Sequence, residues 1–458
     1  MIVYVNLVVV GGGLAGSEAA WQAAQLGCSV TLYEMRPFAQ TGAHLTNSLA
    51  EVICSNSFGS TQPDRAQGHL KTELEILGSL LLECARATAL PAGGALAVDR
   101  AAFSALVTQR ISDCPNIKIV RQEVTQIPAG PAVIASGPLT SPALSASLGQ
   151  FTGAAHLFFF DAIAPIVSAE SVNMEIAYRA SRYGLGEQQE GDYINCPLDE
   201  EQYRVFVNEL RLSERIQLRG FENEIERGVQ AGAKLFFEGC LPVEIIAQRS
   251  EQALAFGPMR PVGLRNPHTG RRPHAVVQLR QDNLAASLYN LVGFQTNLTY
   301  PEQKRVFRMI PGLEGAEFVR YGQMHRNTFL ASPLLLEPTL QFRQRPDLFL
   351  AGQICGVEGY MGNIATGLLA GINAARFLHG MEPLILPPSS MLGALCHYIT
   401  HADLNDFQPM KANFGILPPI ENLPRSRKER NQLYVGRGLK DLNTYLASVH
   451  FSRQAGPE

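Results

Sequence analysis

Two stretches of the sequence hold residue types that covalent chemistry needs. One is KLFFEGCLPVE, residues 234–244, where Cys240 stands between a glycine and a Leu-Pro; the other is ICSNSF, which holds Cys54. The eight cysteines, at 28, 54, 84, 114, 196, 240, 355 and 396, form no C-x-x-C pair and have no zinc-ligand spacing. A thiolate is a strong nucleophile near neutral pH, yet free cysteine is also among the most buried residue types. The residues alone leave both readings open. A third stretch is VNLVVVGGGLAGSEAAWQAAQLG, in which Gly11, Gly13 and Gly16 make G-x-G-x-x-G. Gly11 permits a tight turn, Gly13 lets the backbone approach a pyrophosphate, and Gly16 permits close helix–strand packing. The amides of Gly12, Leu14 and Ala15 belong to the same turn and helix start, where phosphates bind. Glu34, eighteen residues after Gly16, is placed to accept the ribose hydroxyls of an adenosine.

The elements that must position these residues follow from pattern. VNLVVV is a β-branched run of strand length, covered on both faces. The small, apolar-periodic segment after it predicts a helix ended by Gly27, and SVTLYE predicts a second strand, completing a βαβ unit. A strand-like run follows at 131–144. From about 150 to 318 aromatics, prolines and mixed charges predominate. The stretch DLFLAGQICGVEGYMGNIATGLLAGINAARFL, 347–378, then returns to a strand, glycine turns and a helix of small residues. This predicts an α/β protein: a dinucleotide-binding domain in two segments, 1–149 and 319–458, around an insertion domain at 150–318.

Bulk composition narrows the class. With 46% apolar and 17% charged residues the 458-residue chain can bury an ample core. A net charge of −3 excludes a wholly basic nucleic-acid binder but not a local basic patch. No run of 18 apolar residues predicts a membrane helix, and MIVYVNLVVVGGG reads as a buried strand rather than a signal peptide. A reducing cytoplasm, no membrane, no metal, and a monomer or homodimer are the expectations.

AGQICGVEGYMGNIATGLLAGINAA resembles the C-terminal FAD motif of glutathione-reductase-type flavoproteins, which implies a Rossmann FAD-binding domain with an inserted α+β domain. Those families commonly carry Asp where this chain has Gln353. The run Ala351, Gly352, Gln353, Gly356, Gly359, Tyr360 is similar to a subset that modifies tRNA. With VVGGGLAGSEAAWQ, VICSNSF, FFEGCLPVE, GPMRPVGL, YNLVGFQTNL, MHRNTFLASP, GVEGYMGNIATGL and FQPMKANFGILP in order, the chain resembles the TrmFO family of folate- and FAD-dependent tRNA (uracil-5-)-methyltransferases nearly end to end.

The resemblance implies methylation of the T-loop uridine of tRNA at carbon 5. The carbon comes from 5,10-methylenetetrahydrofolate, which leaves as tetrahydrofolate; reduced FAD supplies electrons, and NADPH or NADH reloads it. It assigns the two essential cysteines to Cys54 and Cys240: Cys240 to attack carbon 6 of uracil, Cys54 to proton transfer at carbon 5 or protection of the flavin. It places FAD on the Gly11–Gly16 turn, Glu34, Gly352, Gln353, Gly359 and Tyr360. His325 is the candidate to cover the pterin, with Arg326 and Asn327 beside it. For tRNA phosphates the basic candidates are Arg204, Arg211 and Arg215 at helical spacing, Arg271 and Arg272, and Arg427 and Lys428. The alternative is a GidA/MnmG-type flavoprotein that modifies the tRNA wobble uridine, a longer protein with a helical C-terminal domain.

Overall fold

The computed structural model describes residues 5–41, 43–153, 157–184, 190–216, 241–404 and 407–451, with the backbone alone described at 157–162 and 324–327. The strand Asn6–Val10 lies inside a six-stranded sheet, between Ser29–Glu34 on one side and Ala132–Ile134 on the other, both parallel to it. Ile117–Arg121 extends the sheet beyond Ser29–Glu34. Arg345–Leu350 adds in parallel to Ala132–Ile134, so chain more than 200 residues apart closes one sheet. The hairpin partner Gln341–Phe342 forms its antiparallel edge. This is a mixed α/β fold of the Rossmann type.

Ser29–Glu34 is the expected second strand. The first helix, Leu14–Gln25, ends before Gly27, whose φ of +86° is the left-handed region glycine adopts freely. One expectation is corrected. The strand-like run at 131–144 is a three-residue strand, Ala132–Ile134, after which the chain turns and enters a helix, Pro142–Thr152. Ser141 caps that helix by accepting from the Leu144 amide, and Pro142 sits where a missing N–H costs nothing.

The long helix Tyr360–Leu378 packs directly on Leu14–Gln25. A Cβ on Gly367 would lie 2.2 Å from the Ala15 carbonyl oxygen, and one on Gly371 would lie 2.4 Å from that of Ala19. Two glycines one turn apart thus let the backbones touch, which aims both helix N-termini at the same edge of the sheet.

A second sheet, wholly antiparallel, is built between residues 166 and 320 in the order Tyr178–Ala180, Tyr193–Leu198, Ala275–Gln281, Leu288–Leu291, Ile166–Ser168 and Phe318–Arg320. Among the described residues the buried apolar side chains form two large clusters, one around the parallel sheet and one within 167–318, and a small third at Leu90, Ala92 and Ala97. Leu157–Ala162 and Met324–Phe329 pair as a two-stranded ribbon between them in sequence.

Buried carboxylates fasten helices to this frame. Glu18 accepts from the Leu80 and Leu81 amides and the Ser79 hydroxyl at the start of Leu80–Ala87. Glu73 accepts from the Met391 and Leu392 amides, at 2.6 and 2.8 Å, at the start of Met391–His401. Burial pushes Glu73 up to about 7; it likewise pushes His69, 3.1 Å from the same carboxylate, down to about 4.

Candidate active site

Both helix N-termini open on one cavity of about 390 Å³. Ten of the eleven positions assigned to a cofactor line it: Gly11, Gly12, Gly13, Leu14, Ala15, Glu34, Gly352, Gln353, Gly359 and Tyr360. Gly16 does not. It lies behind the turn, where a Cβ would come 1.8 Å from the Gly11 carbonyl oxygen, so its part is packing alone. Gly13 is the opposite case: a Cβ there would meet nothing within 4 Å, because the position faces the open cavity.

Glu34 ends its strand beneath the turn and is buried. Its Oε2 accepts from the Gly12 amide at 3.0 Å, and its Oε1 from the Arg36 amide and Nε at 3.0 and 2.8 Å. Burial pushes its carboxyl up, but the Arg36 guanidinium and these amides outweigh that and hold it below the usual carboxylate range. A carboxylate has about four lone-pair sites, so the network leaves capacity for one further donor. Arg36, itself buried, runs on to Glu51 at 3.0 Å and to the Thr46 carbonyl.

The far wall comes from the second glycine segment. Gly352, Gly356 and Gly359 all have φ between +83° and +89°, a conformation the turn requires and a side chain resists. Gln353 donates to Glu358 at 2.7 Å. Asn363 lines the cavity one turn into Tyr360–Leu378, and its Oδ1 is buried with no hydrogen-bond partner among the described residues. An orphaned polar atom, an open face at Gly13 and two helix N-termini fit a dinucleotide with an anionic centre and a polar ring.

Cys54 lines the same cavity. Its loop is held from both sides by arginines. Arg100, paired with Asp282 at 3.0 Å, donates to the Val52 and Ile53 carbonyls at 2.7 and 2.9 Å. Arg280, from the antiparallel sheet, donates to Asn56 Oδ1 at 2.8 Å and to the Ser55 hydroxyl at 2.7 Å. The Ser55 amide donates to the Tyr360 hydroxyl at 3.0 Å, a hydroxyl that burial pushes above its ordinary range. Neighbouring residues of Cys54 are therefore tied to the start of the helix Arg100–Ser112, to the antiparallel sheet and to the second glycine segment.

Cys240 lies outside the described residues. Three residues after it, the Val243 amide donates to the carbonyl of Gln295, a residue of the cavity wall. His325, Arg326 and Asn327 fall on the strand Met324–Phe329, in register with Asp161, Phe160 and Phe159. Just beyond them the Thr328 amide donates to Pro138, another wall residue, and the Leu330 amide to Ile354.

The basic candidates are dispersed. Arg204 is exposed on the helix Glu200–Leu212, while Arg211 donates its Nε to the Ala247 carbonyl at 2.7 Å. The expected helical spacing does not continue to Arg215. The helix stops at Leu212 because Ser213 turns extended and bonds back to the Glu209 carbonyl, and Arg215 instead bridges to Leu298. Arg271 and Arg272 are exposed after a turn at Gly270. Arg427 and Lys428 are exposed in the first turn of Arg427–Ser448. Sequence reasoning missed Arg36, Arg100, Arg280, Asn363 and Lys411, which also lines the cavity; Asn363 alone had a local signal, as the polar residue of an otherwise small and apolar helix start.

Residues 6–382 match the family model described as glucose inhibited division protein A. The chain is 55% identical over 445 residues to a protein of Pelotomaculum thermopropionicum named methylenetetrahydrofolate–tRNA-(uracil-5-)-methyltransferase TrmFO, covering 97% of this chain and 99% of that one. A protein of Moorella thermoacetica with the same name is 54% identical, covering 96% and 98%. Among solved structures, GidA of Aquifex aeolicus superposes with a TM-score of 0.68 at 17% identity, over 98% of this chain and 76% of that one, which supports the fold.

Proposed function

The chain belongs to the TrmFO family of methylenetetrahydrofolate–tRNA-(uracil-5-)-methyltransferases, and from that premise we propose that Cys54 and Cys240 carry out methylation of a T-loop uridine around a shared cofactor cavity. The protein is an FAD- and folate-dependent tRNA methyltransferase. The observation that supports the site assignment is that Cys54 stands in the wall of the same cavity as the G-x-G-x-x-G turn and the second glycine segment.

FAD would be held with its diphosphate at the Gly11–Ala15 helix start, its adenosine at Glu34, and its ring toward Gly352, Gln353, Asn363 and Tyr360. When bound and reduced, it supplies the two electrons that take a methylene-level carbon to a methyl group. NADPH or NADH is the proposed source of those electrons.

The protein's own part is activation of the uracil. Carbon 5 of uracil is a poor nucleophile. Addition of the Cys240 thiolate at carbon 6 puts the ring electrons into an enolate, and carbon 5 then attacks the one-carbon electrophile. Cys54 takes the proton from carbon 5, and expulsion of the Cys240 thiolate restores the ring. The arginine-held loop keeps the Cys54 sulfur in register with both reacting partners. His325 would cover the pterin, with Arg326 and Asn327 as its polar contacts; the hydrogen bond of Thr328 to Pro138 in the cavity wall supports this. Cys240 is proposed to enter from an insertion domain at 150–318, the flanking segments 1–149 and 319–458 forming the FAD domain. Two separate buried clusters support that division. Arg204, Arg211, Arg215, Arg271, Arg272, Arg427 and Lys428 are the proposed phosphate contacts. The uridine must leave its stack to reach the thiols.

The test is methylation of an unmodified tRNA transcript with methylenetetrahydrofolate labelled at its one-carbon unit, FAD and NADPH. Wild-type protein should place label in 5-methyluridine, while Cys54→Ala and Cys240→Ala, each retaining FAD, should not. Label carried equally by either alanine variant would remove that cysteine from the mechanism.

A further inference from the structure

A second cavity lies outside the site just described, and we propose that it grips the tRNA phosphate backbone beside the methylated uridine; the proposal rests on the tRNA reading above. This cavity, about 510 Å³, opens between the first turns of Arg427–Ser448, Arg65 at the start of Ala66–Ile76, and the turn at Phe414. Arg65, Arg427 and Arg430 line it and no carboxylate does, in a chain whose net charge is −3. The guanidinium groups of Arg427 and Arg430 have no hydrogen-bond or ion-pair partner among the described residues. Among the described residues Arg65 reaches Gln62 at 3.3 Å and Asp64 at 3.8 Å, and it stays about half exposed. Phe414 and Tyr434 line the same space with ring centroids 6.0 Å apart and planes 26° from parallel.

Stability does not account for this arrangement. A helix N-terminus carries partial positive charge and favours acidic residues, yet the first turn here holds Arg427, Lys428 and Arg430 against the single Glu429. An anion in the cavity resolves that repulsion, and the planar guanidinium matches phosphate in geometry. Aromatic rings beside such a groove suit an unstacked base. The walls are fixed in place: the Asn431 side chain donates to the Asp64 carbonyl at 2.9 Å, and Arg437 donates to the Pro418 and Pro419 carbonyls.

The two cavities are joined by a short piece of chain. Met410 is pinned to the second glycine segment through the Gly356 carbonyl and the Glu358 amide. Lys411 lines the cofactor cavity and Ala412 to Gly415 line the second. Consecutive residues of one short segment thus wall both cavities, which places the second beside the first, on the path of the strand that carries a uridine flipped into the cofactor cavity.

The experiment uses the full chain with bound FAD and an unmodified tRNA transcript, with Kd measured by fluorescence anisotropy at several salt concentrations. Replacing both arginines, Arg427→Gln with Arg430→Gln, should weaken binding on the order of tenfold near physiological salt. It should reduce the slope of log Kd against log salt by about 1.4 to 1.8, the share of two phosphates. Retained FAD should accompany the loss, and the paired lysine variant should restore the slope. Wild-type Kd and slope in the glutamine variant overturn the docking site while methylation by wild-type protein leaves the function standing. Wild-type protein that neither binds nor methylates the transcript overturns both.

Discussion

Gly13→Ala separates the fold from the cofactor at a single position. The backbone there has φ −75° and ψ −166°, an extended conformation that alanine adopts freely. The added Cβ meets no protein atom within 4 Å. The about 0.4–1 kcal/mol gained from reduced freedom of the unfolded chain is offset by alanine's being a poorer helix N-cap than glycine, so the stability of the cofactor-free protein should change little. The same methyl group occupies the space through which a diphosphate must approach the helix start. Loss of one hydrogen bond to a charged group costs about 1.5–3 kcal/mol, which is a weakening of FAD binding by about 10- to 150-fold. The assay is paired: chemical denaturation of cofactor-free protein, and calorimetric titration with FAD. Gly16→Ala is the control, because its Cβ would sit 1.8 Å from the Gly11 carbonyl oxygen and must disturb the fold itself. FAD bound by Gly13→Ala with wild-type affinity would refute the placement of the diphosphate. A stability loss matching that of Gly16→Ala would refute the claim that the position faces open space.

Other expectations follow from the same structure. Gly371→Ala puts a Cβ 2.4 Å from the Ala19 carbonyl oxygen and should cost about 1–3 kcal/mol in urea unfolding of the cofactor-free protein, as overpacking does; a neutral result means the two helices are not in backbone contact. Arg280→Met leaves Asn56 Oδ1 without its Arg280 donor and the Ser55 hydroxyl with the Ser57 amide alone, so kcat should fall at least tenfold with FAD content unchanged, and Arg280→Lys should recover part of it; equal kcat in all three proteins removes Arg280 as a positioning residue for the Cys54 loop. For Glu73 and His69 the slopes of stability with pH oppose each other. The folded chain keeps the Glu73 proton up to about 7, so that contribution, present below the unfolded value near 4.5, is lost as pH rises; His69, held down to about 4, contributes above its unfolded value near 6.5 and loses it as pH falls. Glu73→Gln should uncover the His69 slope, a loss of about 3 kcal/mol relative to wild type between pH 6.5 and 4; parallel stability curves for the two proteins would contradict it.

What could be read from the sequence, and what could not, divides by range. The first strand, glycine turn, first helix and second strand were legible because each depends on neighbours within a few residues: a continuous β-branched run, glycine at a positive φ, and a carboxylate ending a strand. The run at 131–144 misled because apolar composition outlasted the strand, and Ser141-Pro142, a helix start, was not weighed against it. Contacts made across the chain left no local mark. Arg280 and Asn56 are 224 residues apart, and Glu73 caps a helix 318 residues later. Gly367 and Gly371 read as a small-residue helix, but that they meet Ala15 and Ala19 is a fact of packing. The consequence reaches the chemistry. The place of the Cys54 loop is set by Arg100 from the start of the helix Arg100–Ser112, Arg280 from the antiparallel sheet, and Tyr360 from the second glycine segment. A cysteine so held is in position only when that helix, that sheet and the second glycine turn are assembled around it. That arrangement ties formation of the reactive site to completion of the fold, since none of the three anchoring groups lies within 40 residues of the thiol in sequence.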